Sequence, residues 1–351
     1  MEKILEKVKT HYNKNLPFVI YNKPNTDKII GLLQQNDNLF EVKDFNEKGF
    51  VFASFDGNQT YLIPENQSEI ISANFQNKEN SITDIQLNSP DVTVKNQFED
   101  LVAKGIQAIT NNEFKKVVLS RKETLNLVDF DLINTFKKLV QTYPTTFVYC
   151  FYHPKIGTWL GATPEQLLKA NEDQFHTMAL AGTQKDTGSN VVVWPKKEQE
   201  EQQYVTDYIV DKLKNVASEV LVSKPYSLKA GNIWHIKTDI SGTLKSSSSL
   251  QQVIQLLHPT PAVCGLPKLE SKKFILENEN YARTFYTGFL GELNMNNKTD
   301  LFVNLRSMEI SNSQAHLYMG CGITKDSIPE KEWEESINKS GTMKRILENR
   351  E

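Results

Sequence analysis

Residues 284–324 read TFYTGFLGELNMNNKTDLFVNLRSMEISNSQAHLYMGCGIT, and this stretch decides the fold class. Three runs rich in apolar, aromatic and β-branched residues alternate with segments rich in Asn, Asp and Ser, which is typical of strands separated by turns. The rest of the chain also mixes strands and helices in clusters, without regular alternation. This pattern argues against a doubly wound sheet, so the sequence predicts a single-domain α+β fold.

Working outward, we predict strands and helices from apolar periodicity and β-branched runs. The predicted helices are 1–15, 97–113, 131–144, 196–218, 250–259 and 327–341. The predicted strands before the opening stretch are 18–24, 29–35, 49–55, 60–65, 114–127, 145–154 and 231–244. Residues 77–91 are polar and poor in apolar side chains, so we predict a linker there.

The composition indicates a globular protein without a nucleic-acid or membrane surface. Hydrophobic residues make up 39% of the 351, and 40 Lys and Arg against 43 Asp and Glu leave a net charge of −3. That balance gives no electrostatic reason to bind nucleic acid or an anionic membrane. The three scattered cysteines form no CxxC pair, and the charged N-terminus does not resemble a signal peptide. We therefore expect a reducing, cytoplasmic location.

The predicted C-terminal helix carries Glu332, Glu335 and Lys339 at spacings of three and four residues, which place them on one face. The plain interpretation is a solvated face with a weak Glu335–Lys339 pair. The alternative is a site for a hard cation with a basic neighbour for an anionic ligand.

Two other segments carry candidate acid and base groups. Glu165 follows Pro164 in GATPEQLL, where Pro predicts a helix start, so the carboxylate is either a helix-capping acid or a general acid at a strand-to-helix junction. Lys116 heads a predicted strand, in which Lys116, Val118 and Ser120 share one face. A lysine at a strand end is usually exposed, but one held inside a site can act as a base.

Further segments suggest ligands for a cation and an anion. Glu198 and Glu201 lie in a predicted helix, and Glu201 lies beside an apolar stripe that includes Tyr204 and Val205, which is unfavourable for an unpaired carboxylate. Arg306 lies in an apolar run predicted as a strand interior, where it requires a fixed anion from the protein or a substrate. His235 and His258 are interpreted as structural hydrogen-bond partners.

Glycines at three positions indicate either tight packing of the backbone or close approach of the backbone to a ligand. Gly182 lies in the small-residue segment ALAGT, and Gly320 and Gly322 share one face of a predicted strand. Together the candidate groups fit a small polyanionic acid with a hydroxyl leaving group. Mg²⁺ is the expected metal, because the ligands are carboxylates.

Nine motifs, in order along the chain, resemble those of the chorismate-utilising enzymes, which include isochorismate, salicylate, anthranilate and aminodeoxychorismate synthases. They are KVVLSR, GATPEQLL, ALAGT, KEQEEQQYVTDYI, HPTPAVCGLP, FYTGFLGE, LRSMEI, GCGI and EWEESINK. The resemblance covers residues 96–351, the predicted chorismate-binding catalytic region. It implies two large packed antiparallel sheets with outer helices, with residues 1–95 as a motif-free N-terminal part of the same fold.

The resemblance also implies roles for individual residues. Lys116 matches the base that deprotonates water, and Glu165 the acid that protonates the departing hydroxyl. The implied Mg²⁺ ligands are Glu201 and Glu335, with Glu198 and Glu332 acting through water. The implied contacts to chorismate are Gly182, Thr183, Tyr286, Arg306, Gly322 and Lys339.

Within the superfamily the chain most resembles isochorismate synthases, acting in menaquinone or siderophore biosynthesis without an obligatory protein partner. Amine-forming relatives with a covalent lysine carry it at the position of Ala181, and salicylate and anthranilate synthases more often have Pro where Ala179 stands. Salicylate synthase and an ammonia-using synthase subunit are the alternatives, and a non-catalytic binding protein is a third.

The motifs also depart from the family pattern. Gln202 replaces a frequent His, and Ala282-Arg283-Thr284 replaces Glu-Arg-Gly. Cys264 and Cys321 stand where Gly or Ala is common. None of these changes removes a predicted catalytic group.

Overall fold

The computed structural model describes residues 2–75, 92–186, 188, 192–230 and 233–347, so the predicted linker at 77–91 lies outside the described residues. The helices are α1 Glu2–Asn13, α2 Val92–Thr110, α3 Leu132–Thr142, α4 Lys196–Leu213, α5 Leu250–Leu257, α6 Lys268–Asn278 and α7 Pro329–Leu347, with a 3₁₀ turn at Glu65–Gln67. The strands are β1 Phe18–Asn22, β2 Lys28–Gln34, β3 Phe40–Glu41, β4 Gly49–Ala53, β5 Thr60–Pro64, β6 Ser68–Asn74, β7 Lys116–Asn126, β8 Phe147–His153, β9 Gly157–Thr163, β10 Gln166–Asn171, β11 Gln174–Lys185, β12 Ala217–Val222, β13 Tyr226–Ala230, β14 Ile233–Leu244, β15 Gly265–Leu266, β16 Phe289–Met295, β17 Lys298–Val303, β18 Ser307–Ser311 and β19 Gln314–Ile323.

These strands form two large antiparallel sheets, which confirms the predicted α+β class. Sheet I has the order β15-β7-β19-β18-β9-β8-β1-β2-β6. Sheet II has the order β12-β14-β11-β10-β17-β16-β4-β5-β3, and β13 also pairs with β14. The first 75 residues therefore supply strands to both sheets.

The two sheets pack face to face through a layer of aromatic rings. Phe52 stacks on Phe151 with ring centroids 4.3 Å apart, and Phe147 stacks on Phe302 at the same distance. These rings come from β4 and β17 of sheet II and from β8 of sheet I. Aromatic side chains bury large areas and favour offset contacts of this kind, so they account for much of the attraction between the sheets.

The helices cover the outer faces of the sheets. Helices α1 and α3 bury Val8 and Phe136 against sheet I, in a cluster that also contains residues near the end of α7. Val102 of α2 and Trp333 of α7 pack over β7 and β19. On sheet II, Val205 of α4 packs in one cluster with residues of α5. In the described part of the chain, no helix has both the length and the apolar character needed to cross a membrane.

Two of the places where the chain passes from one sheet to the other lie side by side, and both carry predicted site residues. Pro164 and Glu165 connect β9 of sheet I to β10 of sheet II. The prediction of a helix after Pro164 is therefore wrong. Residues after Glu165 pair with β17 in the sheet, and this non-local pairing outweighs the local preference of Pro for a helix start.

The second crossing contains Arg306, which connects β17 of sheet II to β18 of sheet I. The predicted single strand through this residue is therefore two strands separated by a turn. Arg306 has a φ of 47°, in the left-handed region, where a residue cannot continue a strand. The two crossings touch, because Val303 N–H donates to Glu165 O at 2.9 Å and Ala162 N–H donates to Arg306 O at 3.0 Å.

Candidate active site

A cavity of about 710 Å³, its open mouth included, lies where these crossings meet β11, β19, α4 and α7. Nine of the twelve predicted site residues line it: Glu165, Gly182, Thr183, Glu201, Tyr286, Arg306, Gly322, Glu335 and Lys339. The remaining three, Lys116, Glu198 and Glu332, lie behind this wall and contact or adjoin groups within it. A concave site with several convergent charged groups is the usual form of a small-molecule site.

Glu165 is a buried carboxyl in the cavity wall, 4% exposed. Burial raises its pKa to about 7, although the positive charge of Lys116 and a hydrogen bond from Thr260 Oγ1, 3.4 Å from Glu165 Oε1, act in the opposite direction. A carboxyl with this pKa exists in both protonation states near neutrality, which suits an acid catalyst. Thr260 belongs to the proline-rich loop 258–267, whose Ala262 and Val263 also line the cavity.

Lys116 is fully buried, in contrast to the usual exposed lysine at a strand end. Its Nζ lies 2.9 Å from Oε1 of Glu201. Burial by itself raises the pKa of Glu201, but the attraction and hydrogen bond of Lys116 outweigh it and lower that pKa. The strand alternation placed Lys116 and Val118 on one face, and Val118 lines the cavity.

Gly322 makes room for the Glu201 carboxylate. A Cβ at position 322 would lie 2.3 Å from Glu201 Oε1, a distance that no real pair of such atoms adopts. Helix α4 presents Glu201 toward β19, and the glycine is therefore needed for this approach. Tyr204, expected in the buried stripe of the same helix, is 37% exposed; Val205 and Ile209 are the buried members.

Glu198 and Glu332 extend the group of carboxylates around Glu201 and Glu335. Burial raises the pKa of Glu198 to about 7, helped by repulsion from Glu201 and Glu335. Burial and the charge of Glu335 also raise the pKa of Glu332, against the attraction of Lys197, whose Nζ lies 2.6 Å from Glu332 Oε1. Carboxylates so close together raise one another's pKa, and a bound cation between them would favour their charged forms.

Glu335 and Lys339 of α7 form the ion pair that their spacing predicted, with Nζ and Oε1 2.5 Å apart. Lys339 Nζ also donates to Gly320 O at 2.8 Å. Burial lowers the pKa of Lys339, but the negative charge of Glu335 outweighs this and the net shift is upward. Lys339 therefore stays positively charged in the cavity wall.

Arg306 supplies a second permanent positive charge. Burial lowers the pKa of Arg306 from its ordinary value, and an arginine side chain carries its positive charge at neutral pH. Among the described residues, its Nη1 atom is buried without a hydrogen-bond partner. A buried guanidinium nitrogen without a partner is costly, and an anionic ligand in the cavity would satisfy it.

His235 is the cavity residue that the sequence analysis assigned only a structural role. Its Nδ1 donates to Gly182 O at 2.9 Å, as that role requires. Its Nε2, however, has no partner in the described part of the chain, and the residue lines the cavity. Burial and the positive charge of Arg306 lower its pKa to about 3, so the ring is neutral and Nε2 is a hydrogen-bond acceptor. His258, in contrast, contacts Ser54 O at 3.1 Å and is structural, as predicted.

The group of carboxylates suits a hard divalent cation. In the described residues, Glu332 Oε2 is buried without a partner, and one ligand atom each from Glu332, Glu335 and Cys321 lie within 4.8 Å of one another. The Cys321 thiol donates to Glu332 O at 3.2 Å, and burial raises its pKa well above the ordinary value, so it is a protonated thiol and not a ligand. Oxygen donors alone favour Mg²⁺ or Ca²⁺.

The chain has two packed antiparallel sheets, with a cavity of buried acids and bases where the chain crosses between them. This arrangement is that of an enzyme that acts on a small molecule. The chain belongs to the chorismate binding enzyme family, whose model matches residues 53–348.

Curated relatives of two activities match at similar levels. Isochorismate synthase EntC of Escherichia coli (strain K12) is 28% identical over 265 residues, 71% of this chain and 66% of that protein. Anthranilate synthase component 1 of Lactococcus lactis subsp. lactis (strain IL1403) is 26% identical over 274 residues, 75% of this chain and 60% of that protein. These alignments thus span less than two thirds of either relative.

The fold itself matches over the whole chain. A crystal structure described as the 2,3-dihydroxybenzoate-specific isochorismate synthase DhbC of Bacillus anthracis superposes with a TM-score of 0.82, covers 99% of both chains and is 23% identical.

Proposed function

We propose that this chain is an isochorismate synthase, which isomerises chorismate to isochorismate with Mg²⁺ for menaquinone or siderophore biosynthesis. The observation that carries the proposal is the pair Lys116 and Glu165. Glu165 is a buried carboxyl that lines the cavity, and Lys116 is a buried amine behind its wall, 2.9 Å from the lining carboxylate of Glu201. Isomerisation requires one group to take a proton from water and one to give a proton to a leaving hydroxyl. These two residues can meet both requirements.

The proposed reaction balances without an oxidant or a second substrate. Water attacks ring carbon C2 and loses a proton to Lys116, the ring double bonds shift, and the C4–O bond breaks as Glu165 protonates the departing hydroxyl. One water enters and one leaves, so the product is an isomer of the substrate. Each positioned proton transfer typically contributes about 10²–10⁴-fold to the rate.

One of the substrate's two carboxylates has matching positive charges in the cavity wall. Arg306 and Lys339, with the backbone at Gly182 and Gly322, would hold one carboxylate and thereby fix the ring between acid and base. Tyr286 lines the same cavity and offers an aromatic face and a hydroxyl. The neutral Nε2 of His235 would accept a hydrogen bond from a substrate hydroxyl or a water.

Mg²⁺ suits these oxygen donors, and the family resemblance implies that Glu201 and Glu335 would hold it directly, with Glu198 and Glu332 acting through water. The bound ion would neutralise and orient the ring carboxylate. Three lysines of the chain also neutralise this group of carboxylates. Each pairs with one carboxylate: Lys116, Lys197 and Lys339. They hold these four acids together, two of them buried and two half-buried, and Lys116 accepts a proton from water in its neutral form.

The residues of β11 favour isomerisation over amination. Ala181 lines the cavity at the position where those amine-forming relatives that use a covalent lysine carry it. An alanine there offers no nucleophile and leaves space for water beside the ring. Ala179, where salicylate and anthranilate synthases more often have Pro, supports the same choice.

Product analysis tests the proposal directly. Purified protein is incubated with chorismate and Mg²⁺ without ammonium, and the products are separated by chromatography. Isochorismate without pyruvate is the expected result. Salicylate with pyruvate would reassign the chain as a salicylate synthase, and turnover only after ammonium is added would indicate an amine-forming subunit. Tight chorismate binding with no product under either condition would indicate a binding protein.

A further inference from the structure

A fully buried amide connects two turns of the cavity wall. Asn304 is 0% exposed and lies in the crossing between β17 and β18. Its Nδ2 donates to Phe285 O at 2.9 Å, and its Oδ1 accepts from the Tyr149 hydroxyl at 2.6 Å. Its backbone N–H donates to Gly288 O at 2.8 Å, and its carbonyl accepts from Thr287 N–H at 2.9 Å. Asn304 thus bonds residues 285–288 to the 304–306 turn through its backbone N–H, its backbone carbonyl and its side-chain Nδ2, while its Oδ1 bonds to Tyr149.

Both turns hold a cavity residue in an unusual backbone conformation. Arg306 has a φ of 47° and Thr287 a φ of 59°, and both line the cavity. The left-handed region is unfavourable for residues with a Cβ, and most of all for a β-branched residue such as Thr. Such conformations persist only where surrounding contacts over-determine them, and Asn304 contributes contacts to both turns.

The same crossing also touches the acid. Val303 N–H donates to Glu165 O at 2.9 Å, and the Thr163 hydroxyl donates to Val303 O at 2.6 Å. Asn304 follows Val303 directly. A shift of this turn would therefore move Arg306 and Glu165 relative to one another.

Tyr149 is itself built into this arrangement. Gly161 leaves room for the ring of Tyr149, because a Cβ at position 161 would lie 2.7 Å from Tyr149 Cε1. The ring is fully buried in the layer between the sheets, and burial raises the pKa of its hydroxyl well above the ordinary value. Tyr149 therefore donates a permanent hydrogen bond to Asn304.

We propose that Asn304, oriented by the Tyr149 hydroxyl, is a positioning residue for the reaction: it fixes the direction in which Arg306 and Tyr286 meet the substrate. Neither Asn304 nor Tyr149 lines the cavity, so both act through the turns that do. The inference rests on the proposed function, since it needs an anionic substrate at Arg306.

The test removes one hydroxyl and measures chorismate binding. Asn304→Ala would leave a cavity in the core and risks unfolding the protein, so Tyr149→Phe is the main variant. Tyr21→Phe is the matched control, because Tyr21 is also fully buried between the sheets and donates to Glu292 Oε1 at 2.6 Å, and neither of these residues lines the cavity. Calorimetric titration with chorismate gives Kd for each variant, and thermal unfolding gives Tm.

We expect both variants to lower Tm by similar amounts, while only Tyr149→Phe raises Kd, by roughly three- to tenfold. The decisive comparison adds Arg306→Ala. If Asn304 acts by aiming Arg306, Tyr149→Phe changes Kd by less than twofold in the Arg306→Ala background.

Other results would overturn the inference. An unchanged Kd in Tyr149→Phe would leave Asn304 with a structural role only, and an equal effect with and without Arg306 would exclude an action through that residue. Failure of the parent protein to bind chorismate would instead refute the proposed function, and with it this inference. The parent titration therefore separates the two failures.

Discussion

Lys116 Nζ lies 2.9 Å from Glu201 Oε1, so the proposed base and a proposed metal ligand share one buried ion pair. Burying two charges costs free energy that a hydrophobic pair would not cost. A lysine and a glutamate placed in this way are therefore better explained by chemistry than by stability. The relationship also means that a change at either residue affects the other.

Lys116→Met is expected to lower kcat by roughly 10²–10⁴-fold, because methionine fills similar space but cannot accept a proton. Initial rates of isochorismate formation measure the effect, and circular dichroism checks the fold. Lys115→Met is the matched control, since Lys115 is the adjacent, exposed lysine. A Lys116→Met enzyme with near-parental kcat would show that another group activates the water.

Glu165→Gln is expected to lower kcat by a similar factor, because an amide cannot donate a proton to the leaving hydroxyl. Burial raises the pKa of Glu165 to about 7, so the acid loses its proton as pH rises above this value. The kcat of the parent should therefore fall above about pH 7. A pH profile of kcat measures this limb. A parental rate in Glu165→Gln would exclude Glu165 as the acid.

The same variant has an independent consequence for stability. The folded pKa of Glu165, about 7, lies above its ordinary value of 4.5. Between these pH values the folded protein keeps a proton that the unfolded chain releases, so stability falls as pH rises through this window. Glu165→Gln removes that loss, and its Tm relative to the parent should increase from pH 5 to pH 8. A constant Tm difference would mean that the carboxyl titrates normally.

Glu335→Gln is expected to weaken Mg²⁺ binding more than it changes thermal stability. The change removes a charged oxygen donor, while Lys339 keeps its bond to Gly320 O. Calorimetric titration with Mg²⁺ compares it with Glu334→Gln, the same change at an exposed neighbour on α7. Equal Mg²⁺ affinity in the two variants would contradict a ligand role for Glu335.

Local sequence spacing predicted the parts of the site that lie on helices. Glu335 and Lys339 are four residues apart on α7 and form the expected pair, and Glu201 lies on the buried side of α4, as the neighbouring apolar residues indicated. Helical periodicity fixes such relationships within a few residues. They can therefore be predicted without knowing any contact with distant residues of the chain.

The parts of the site on strands and crossings were less predictable, because their contacts come from distant residues. Glu165 lies between two strands instead of starting a helix, since β10 pairs with β17, more than 100 residues later in the chain. Likewise, the turn at Arg306 depends on Asn304 and on Tyr149, a residue from β8. The role of His235 in the cavity also depends on Gly182 of another strand.

Gly322→Ala is expected to impair Mg²⁺ binding and turnover while leaving the fold stable. The added Cβ would lie 2.3 Å from Glu201 Oε1, the mobile end of a side chain, so the carboxylate can move away at little cost to stability but loses its place in the site. Gly242→Ala is the contrast, because its Cβ would lie 2.3 Å from the backbone oxygen of Glu219, which cannot move as easily. We expect Gly242→Ala to lower Tm strongly without a specific change in Mg²⁺ affinity. Titration with Mg²⁺ and thermal unfolding of both variants distinguish the two effects, and parental Mg²⁺ affinity in Gly322→Ala would mean that the position of Glu201 does not matter for the metal.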